Sequence, residues 1–393
     1  MSRQAPLWLL TLITFSGTLA MHIFVPALPE AAKDLGASMG AMQMTMSVYI
    51  FGLAVGQLAY GPLSDRFGRR PVLMAGLVLY AVTGLAAAFA PDVRTLIVVR
   101  LLQALGGCAG LVIGRAVVRD TALPKDAARR LAVMNLMVAV GPGAAPLIGG
   151  ALAATLGWRS IFFLLAALGI INLAFTWRLL PETREQTSSA SFPTLGRNYR
   201  RLLGSPAFLG YAIGGGCATT SMYAFIAASP FIFVHQLNRP DYEVGIYLAI
   251  LVSGIWLGSV LATRLIARIH MDRLMVGANL LSVLASFTLL AAVLSSHLSV
   301  ALAVGSMFVF SIGVGMASPA ALTQAMSVNP HVIGSAAGLY GFAQMGVGAV
   351  CTAVAGTGSN PALAAALVLA AAGVIGQFAF WIALRHRPPA ALP

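Results

Sequence analysis

The stretch that decides the fold lies between two apolar runs and reads Gly61-Pro-Leu-Ser-Asp65-Arg66-Phe-Gly68-Arg69-Arg70-Pro71. The flanking runs, near residues 41–63 and 71–90, are each long enough to cross the hydrocarbon core of a bilayer. Gly61, Pro62 and Gly68 permit a tight turn at the membrane surface. The arginines can remain in cytoplasmic water or on lipid phosphates. The stretch therefore predicts two membrane-spanning helices joined by a short basic loop.

Composition extends this prediction to the whole chain. Of 393 residues, 59% are hydrophobic and 9% are charged, and the mean hydropathy is +0.88. A soluble domain carries about 25% charged residues, so this chain has too few charges to cover a surface that faces water. With roughly 20 apolar residues per span, the length allows about twelve spans.

The apolar runs fall into two sets of six. We predict spans near residues 7–29, 41–63, 71–90, 95–118, 131–155 and 160–180, and again near 206–235, 243–267, 272–294, 299–326, 331–356 and 361–384. The long polar stretch between the sets is rich in Ser, Thr and Arg, as a cytoplasmic linker is. The prediction is an all-α membrane protein with twelve transmembrane helices in two pseudo-symmetric six-helix bundles. The bundles cover residues 1–181 and 205–393, and the linker covers 182–204.

The net charge of +13 is explained by membrane topology. Most of the Lys and Arg residues fall in one set of loops, in the linker and in the two tails, and Lys and Arg stay on the cytoplasmic side during insertion. We therefore expect both termini in the cytoplasm and no nucleic-acid partner. Cys108, Cys217 and Cys351 all lie in apolar runs, which argues against a disulfide framework.

Span four contains charged residues inside the apolar run. It reads Arg100-Leu-Leu-Gln103-Ala-Leu-Gly106 and then Gly114-Arg115-Ala-Val-Val-Arg119-Asp120. A charge within a span costs about 2.5–3.5 kcal/mol on insertion scales and commonly marks function. Both Arg100 and Arg115 lie near an end of the span, so each could instead extend its head group to the interface.

Span five is marked by prolines and glycines, in the sequence Gly141-Pro142-Gly-Ala-Ala-Pro146-Leu-Ile-Gly149-Gly150. Two prolines remove helical hydrogen bonds, and the glycines permit bending and close helix contact. Gly141, Pro142, Pro146, Gly149 and Gly150 are therefore candidate hinge residues. General packing of small residues is the alternative.

These three motifs together resemble the major facilitator superfamily. The loop at Gly61–Pro71 is similar to its signature loop, span four to its span-four motif, and span five to the antiporter motif of drug:proton exporters. Further matches are Pro26-Ala-Leu-Pro29, Tyr223-Ala-Phe225-Ile-Ala-Ala-Ser229-Pro230-Phe231, and Gly334-Ser-Ala-Ala-Gly338 with Gln344. They are similar to the Bcr/CflA branch (bicyclomycin and chloramphenicol resistance), which implies a monomer in the bacterial inner membrane.

The resemblance implies roles for several residues. In the signature loop, Asp65 would dock against the cytoplasmic start of span eleven, here Asn329-Pro330. The resulting conformational latch would comprise Gly61, Asp65, Arg66, Gly68 and Arg69. The alternative is a solvated loop that only sets topology. Arg100 would couple substrate to proton movement.

The chain departs from the branch in span one, where the usual aspartate is absent and the sequence is Met21-His22-Ile23-Phe24-Val25-Pro26. His22 is the natural replacement, since an imidazole changes its charge by one unit near neutral pH. It can act as the proton carrier or as a neutral substrate binder. The proton-coupling candidates are thus His22, Arg100 and Arg115.

A transport cavity is mostly apolar with a few polar groups. Candidate substrate-binding residues are His22, Tyr49, Gln57, Arg100, Asn135, Tyr223, Phe225, Trp256, Phe310 and Gln344. Any single aromatic residue among them could instead face lipid or pack in a helix interface. The pair Ser229-Pro230 should break or kink span seven. A cavity without acids suits neutral or anionic solutes.

We therefore predict secondary active efflux of a small drug-like or metabolite molecule by alternating access, in exchange for protons. A facilitator or uptake carrier for a metabolite such as a nucleoside is the alternative. An integral membrane enzyme is a further class, but the acids are scattered and the six histidines form no ligand cluster. No metal and no cofactor are expected.

Overall fold

The computed structural model describes residues 5–122, 124–183, 192–266, 268–329 and 332–386. Within these ranges the chain forms helices and no strands. Eleven helical segments of the described chain are long and apolar enough to cross a membrane, and α6, Pro124–Leu156, contains a shorter apolar stretch, Gly141–Leu156. The predicted all-α membrane protein of twelve spans is confirmed.

The first six spans are built from α1 to α7. Span one is composite: α1 (Leu7–His22), a 3-10 turn (Val25–Ala27) and α2 (Leu28–Asp34). The next five are α3 (Met39–Phe67), α4 (Arg69–Ala88), α5 (Val93–Thr121), α6 (Pro124–Leu156) and α7 (Arg159–Leu179).

The second six spans follow a short helix, α8 (Phe192–Leu203). Span seven consists of α9 (Pro206–Thr220), α10 (Met222–Pro230) and a π-helical turn (Phe231–Gln236). The remaining spans are α11 (Asp241–Leu265), α12 (Met271–Leu294), α13 (Val300–Ser327), α14 (Ile333–Ala355) and α15 (Pro361–Arg385).

The chain divides into two compact units. Unit 1 comprises Met1–Ala190 with Phe233–Ala249, and unit 2 comprises Ser191–Ile232 with Ile250–Pro393. Helix α8 occupies much of the stretch that the sequence predicts as a polar linker. It forms because Leu195, Tyr199 and Leu202 recur on one face, and Leu202 is buried while Arg197 and Arg200 are exposed.

Several helices begin at a side chain that caps them. The Asp92 carboxylate accepts a hydrogen bond of 2.8 Å from the Thr95 backbone N–H at the start of α5. This hydrogen bond lowers the pKa of the Asp92 carboxyl. Ser38, Ser205, Ser299 and Asn360 cap α3, α9, α13 and α15 in the same way.

In unit 1, α1 packs against α5 through glycines. A Cβ atom built on Gly17 would lie 2.7 Å from the Gly107 carbonyl oxygen, so only the absence of side chains allows the two backbones to approach this closely. Two tyrosines on neighbouring helices donate hydrogen bonds to the backbone of α1. Tyr49 of α3 donates to the Gly17 carbonyl and Tyr80 of α4 to the Ser16 carbonyl, each at 2.9 Å. This packing fixes the helix that ends at His22.

The prolines act differently in spans five and seven. Helix α6 continues through Pro142 and Pro146. Span seven is interrupted at Ser221, and its backbone becomes π-helical directly after Pro230. The predicted break or kink near Ser229-Pro230 corresponds to this change from α-helix to π-helix.

Candidate functional site

Arg100 lies about two turns into α5 and is completely buried, with 0% exposure. A side chain that extended its head group to the interface would be exposed, so this alternative does not hold for Arg100. The guanidinium carbon lies 4.1 Å from the centre of the Tyr49 ring, 5.8 Å from that of Phe24 and 5.7 Å from that of Phe162. Cation–π attraction from these rings stabilises the buried charge.

The polar contacts of Arg100 use one of its three nitrogens. Nη1 donates to the Gln103 side-chain oxygen at 2.8 Å. Nε and Nη2 have no hydrogen-bond partner among the residues that the structure describes, and neither has Nε2 of Gln103. The Arg100 guanidinium is thus a buried cation whose Nε and Nη2 donors have no acceptor among the described residues.

The aromatic rings around Arg100 belong to a larger cluster. Phe24 and Phe162 have ring centres 4.9 Å apart, and each is 6.0 Å from Trp158. Trp158 donates to the Asp34 carboxylate at 3.1 Å, and Arg159 forms an ion pair with the same carboxylate. Asp34, at the end of α2, is thus engaged by the start of α7.

His22 ends α1 and is 3% exposed. Its Nδ1 lies 3.0 Å from the carbonyl oxygen of Thr18. A carbonyl only accepts, so Nδ1 carries the hydrogen in the neutral ring and Nε2 is the atom that can take up a proton. Phe24, two residues further on, contacts Arg100 and so connects the two candidate residues through one short segment.

The span-five motif packs against this same segment of span one. A Cβ atom on Gly149 would overlap the carbonyl oxygen of Ile23, and one on Gly141 would lie 3.2 Å from Thr18 Oγ1. A Cβ on Gly150 would lie 3.8 Å from the Pro26 side chain. The small residues of the motif therefore permit close contact with the Thr18 side chain before His22 and with the Ile23 backbone after it.

The other candidates of unit 1 differ in their relation to Arg100. Tyr49 contributes its ring to Arg100 and its hydroxyl to Gly17. Gln57 is half-buried on α3, and Arg115 is half-buried on α5 with Nε unpartnered among the described residues. The side chain of Asn135 lies outside the described part of the structure.

In unit 2, four of the five candidates are wholly or partly buried. Phe225 and Phe310 are each 1% exposed, and Tyr223 is half-buried. Gln344 donates to the Thr219 hydroxyl at 2.8 Å and joins α14 to α9. Trp256 is 49% exposed, which fits the alternative of an aromatic side chain that faces lipid.

The signature loop forms an ion-pair network within unit 1. Arg69 Nη1 lies 2.6 Å from Asp65, and Arg69 Nε lies 2.9 Å from Asp120 at the end of α5. Arg66 is exposed, and a Cβ on Gly61 would meet nothing within 4 Å. The predicted docking partner of Asp65 includes Pro330, which lies outside the described residues, so the latch stays a prediction.

Glu182 completes this network from the end of the sixth span. Its carboxylate accepts hydrogen bonds from the backbone N–H groups of Arg69 at 2.9 Å and Arg70 at 3.1 Å, and so caps α4. Gly68 has φ +97°, and a Cβ there would lie 2.7 Å from Glu182 Oε2. The positive φ favours glycine at this position, and a side chain there would also displace the Glu182 carboxylate.

Several of these partners were not identified from the sequence, notably Phe24, Phe162, Asp120 and Glu182. They lie far from Arg100 or Arg69 in the chain, and nothing in their local pattern predicts the contact. Among the described residues, no group of three or more His, Cys, Asp or Glu side chains could hold a metal ion.

Comparison with known proteins identifies the family of the chain. The family model described as Major Facilitator Superfamily matches residues 10–352. An uncharacterised MFS-type transporter of Bacillus subtilis, YdgK, is 30% identical over 98% of this chain and 96% of its own length. A bicyclomycin resistance protein homologue of Haemophilus influenzae is 25% identical over 84% and 83% of the two chains.

Two further similarities concern a drug transporter and a solved structure. The multidrug transporter MdfA of Yersinia pestis is 28% identical over 84% of this chain and 82% of its own. A bacterial homologue of the lysosomal transporter Spinster, in an inward-facing crystal structure, has a TM-score of 0.76 at 16% identity and covers 98% of both chains. The predicted resemblance to the resistance branch is confirmed, and the transporter family excludes the enzyme alternative. This chain is a membrane transporter that belongs to the Major Facilitator Superfamily.

Proposed function

We propose that the chain exports a small drug-like or metabolite molecule by alternating access, in exchange for protons. Membership of the superfamily supports transport, and the names of the bicyclomycin-resistance and multidrug relatives support export. The basic loops support cytoplasmic termini. We further propose a monomer in the bacterial inner membrane, surrounded by lipid.

The observation that carries the proposal is the contact between the span-five motif and the segment around His22. Gly141 faces Thr18, whose carbonyl oxygen holds the imidazole, and Gly149 faces the carbonyl oxygen of the next residue, Ile23. A movement of α6 would therefore change the surroundings of His22. His22 would take up a proton at Nε2 on the outer side and release it on the inner side while the solute moves outward.

The two arginines of span four have different parts in this proposal. Arg100 is fully buried and contacts Phe24, which is close in the chain to His22. It would therefore bind the solute, and protonation of His22 would change the affinity of Arg100 for that solute. Arg115 is half-buried, further towards the cytoplasm, and would serve proton release. The Arg69 network would hold the loop end of α4 during the conformational change.

A facilitator or uptake carrier for a metabolite is the second candidate. One observation favours it: every Asp and Glu among the described residues is half-buried or exposed, so no buried carboxylate is available to carry a proton there. If His22 only binds solute, transport would follow the solute gradient and ignore the proton gradient.

The deciding experiment compares wild type with His22→Ala and His22→Asp in proteoliposomes. Imposed pH gradients drive uptake of phenicols, bicyclomycin, sulfonamides and nucleoside analogues. The exchange proposal expects proton-driven flux in wild type, its loss in His22→Ala and its return in His22→Asp. His297→Ala, which changes an exposed histidine, is the matched control. Full proton dependence in His22→Ala would exclude His22 as the carrier, and flux without proton dependence in wild type would favour the facilitator.

A further inference from the structure

The unpartnered nitrogens of Arg100 lie on one side of its guanidinium. The group is planar and offers five N–H donors in a fixed arrangement. Gln103 engages Nη1, whereas Nε and Nη2 have no partner among the described residues. Nε–H and one N–H of Nη2 point in parallel from the same edge of the plane. This edge matches the two oxygens of a carboxylate, which it can bind through two parallel hydrogen bonds.

Among the described residues, no buried carboxylate neutralises this cation. The described Asp and Glu residues are all half-buried or exposed. Asp34 accepts a hydrogen bond from Trp158 of the aromatic cluster and forms an ion pair with Arg159, so its charge is already compensated. A buried charge without a counter-charge is costly, and such residues within membrane spans commonly mark the path of a substrate. The missing negative charge can be supplied by the solute.

We infer that Arg100 binds the carboxylate of a small organic anion that the protein transports, through its Nε and Nη2 edge. The inference rests on the proposed function, because it names the class of solute that the exporter takes. Gln103 adds a buried amide donor, since its Nε2 is unpartnered within the described chain. The Arg100 side chain is fully buried in the state described. The anion would therefore reach Arg100 in a state of the transport cycle in which the helices around it have moved apart.

The surroundings of Arg100 favour an apolar monocarboxylate over other solutes. A cation would be repelled by the guanidinium, and a neutral amide would leave the charge uncompensated. A doubly charged phosphate would need a second cation, whereas the side chains recorded in contact with the guanidinium are Gln103 and the aromatic rings of Phe24, Tyr49 and Phe162. These rings can pack against the apolar body of the solute.

The test measures binding to the purified full-length protein in nanodiscs. The probes are benzoate, phenylacetate, salicylate and octanoate, each paired with its neutral amide, and the readout is tryptophan fluorescence together with the thermal unfolding midpoint. Trp158 reports on the site, since its ring centre is 6.0 Å from those of Phe24 and Phe162. We expect at least one acid to bind about tenfold or more tightly than its amide.

Variants of Arg100 assign this preference to its side chain. Arg100→Gln should weaken binding of the acid roughly tenfold to a hundredfold and leave the amide unchanged. Arg100→Lys keeps the charge but lacks the two parallel N–H donors, so its affinity for the acid should lie between those of wild type and Arg100→Gln. If Arg100→Gln fails to fold, Arg100→Lys carries the test. Arg273→Gln removes an exposed arginine of α12 and should bind as wild type does. Equal binding of acids and amides to wild type, or unchanged acid binding in a folded Arg100 variant, would overturn the inference.

This result is separable from the test of proton exchange. Proton-driven export of a phenicol without any preference for acids would refute carboxylate binding and leave the proposed exchange intact. Carboxylate binding through Arg100 without an effect of the proton gradient on flux would refute the proposed exchange and leave carboxylate binding intact.

Discussion

Gly149 of α6 lies so close to Ile23 that a single added methyl group would overlap the Ile23 carbonyl oxygen. The contact is between backbones, so a flexible side chain cannot move aside to relieve it. It joins the span-five motif to the residue that follows His22.

Gly149→Ala should therefore destabilise unit 1 by about 1–3 kcal/mol, the usual effect of overpacking a tight interface. Transport should fall by more than stability alone explains, because the substitution displaces the segment that carries His22. Thermal unfolding in detergent and flux in proteoliposomes measure the two effects. Gly277→Ala is the control, since a Cβ there meets nothing within 4 Å and alanine favours a helix. Equal behaviour of the two variants would show that the contact does not matter.

The positions of the spans could be predicted from the sequence because long apolar runs and basic loops are local features. The break after Pro230 was predictable for the same reason: proline lacks the N–H that a regular helix needs. The face that a residue presents within a bundle is not local. Phe24, just after α1, and Phe162, in α7, both contact Arg100 in α5. Because Ala, Leu and Gly are frequent in every span, the sequence does not indicate which helix faces contact each other.

The helix α8 was missed although its signal is present. Leu195, Tyr199 and Leu202 recur at helical spacing, with Arg197 and Arg201 on the opposite face. The Ser, Thr and Arg content of the neighbouring residues concealed this pattern. At the signature loop, glycine and arginine predict a turn at the membrane, whereas the capping role of Glu182 depends on a contact between residues more than a hundred positions apart.

A second prediction concerns Gly68 and Glu182. Gly68→Ala places a methyl group in a left-handed backbone conformation and against the Glu182 carboxylate, so it should lower the unfolding midpoint clearly. The Glu182 carboxylate accepts one backbone N–H with each of its two oxygens, so Glu182→Gln keeps one acceptor, loses the other, and loses the charge at the start of α4. It should cost about 0.3–1 kcal/mol, and less at high salt. Gly196→Ala, where a Cβ meets nothing within 4 Å, is the matched control. A Gly68→Ala variant as stable as this control would contradict the account.

Tyr49 offers a way to separate its two contacts. Tyr49→Phe removes the hydrogen bond to Gly17 and keeps the ring beside Arg100, so it should destabilise the protein by about 0.5–1.5 kcal/mol without changing binding of a carboxylate. Tyr49→Leu removes both contacts and should also weaken that binding. The control is Tyr340→Phe, because the buried Tyr340 hydroxyl has no partner in the described residues. A loss of carboxylate binding in Tyr49→Phe would mean that the hydroxyl, and not the ring, supports Arg100.

Asp92 gives a prediction for pH. Its pKa is lowered in the folded protein by the hydrogen bond from Thr95, so its ionised form stabilises the fold above the ordinary aspartate pKa. This stabilisation is lost as the pH falls through the lower pKa of the folded state. Asp92→Ala should thus lower the unfolding midpoint at pH 7, and the difference from wild type should shrink below about pH 4. Asp92→Asn, which can still cap the helix, should stay close to wild type at both pH values. A constant difference for Asp92→Ala between pH 7 and pH 3 would exclude the ionised cap.

The membrane potential should act on the exchanged proton and on the charge of the solute together. Exchange of one outgoing monoanion for one incoming proton moves two charges, whereas exchange of a neutral solute moves one. Each charge is worth about 2.3 kcal/mol per 100 mV, or roughly a fiftyfold change in the final concentration ratio. A potential negative inside, set with potassium and valinomycin, should therefore expel a carboxylate far more strongly than its amide from loaded proteoliposomes. In His22→Ala, if proton movement is lost, the carboxylate should respond as a single charge and the amide should not respond. The final ratio is an equilibrium quantity, so mixed orientation of the protein in the vesicles does not affect it. An equal response of acid and amide in wild type would show that the solute crosses without a net charge of its own.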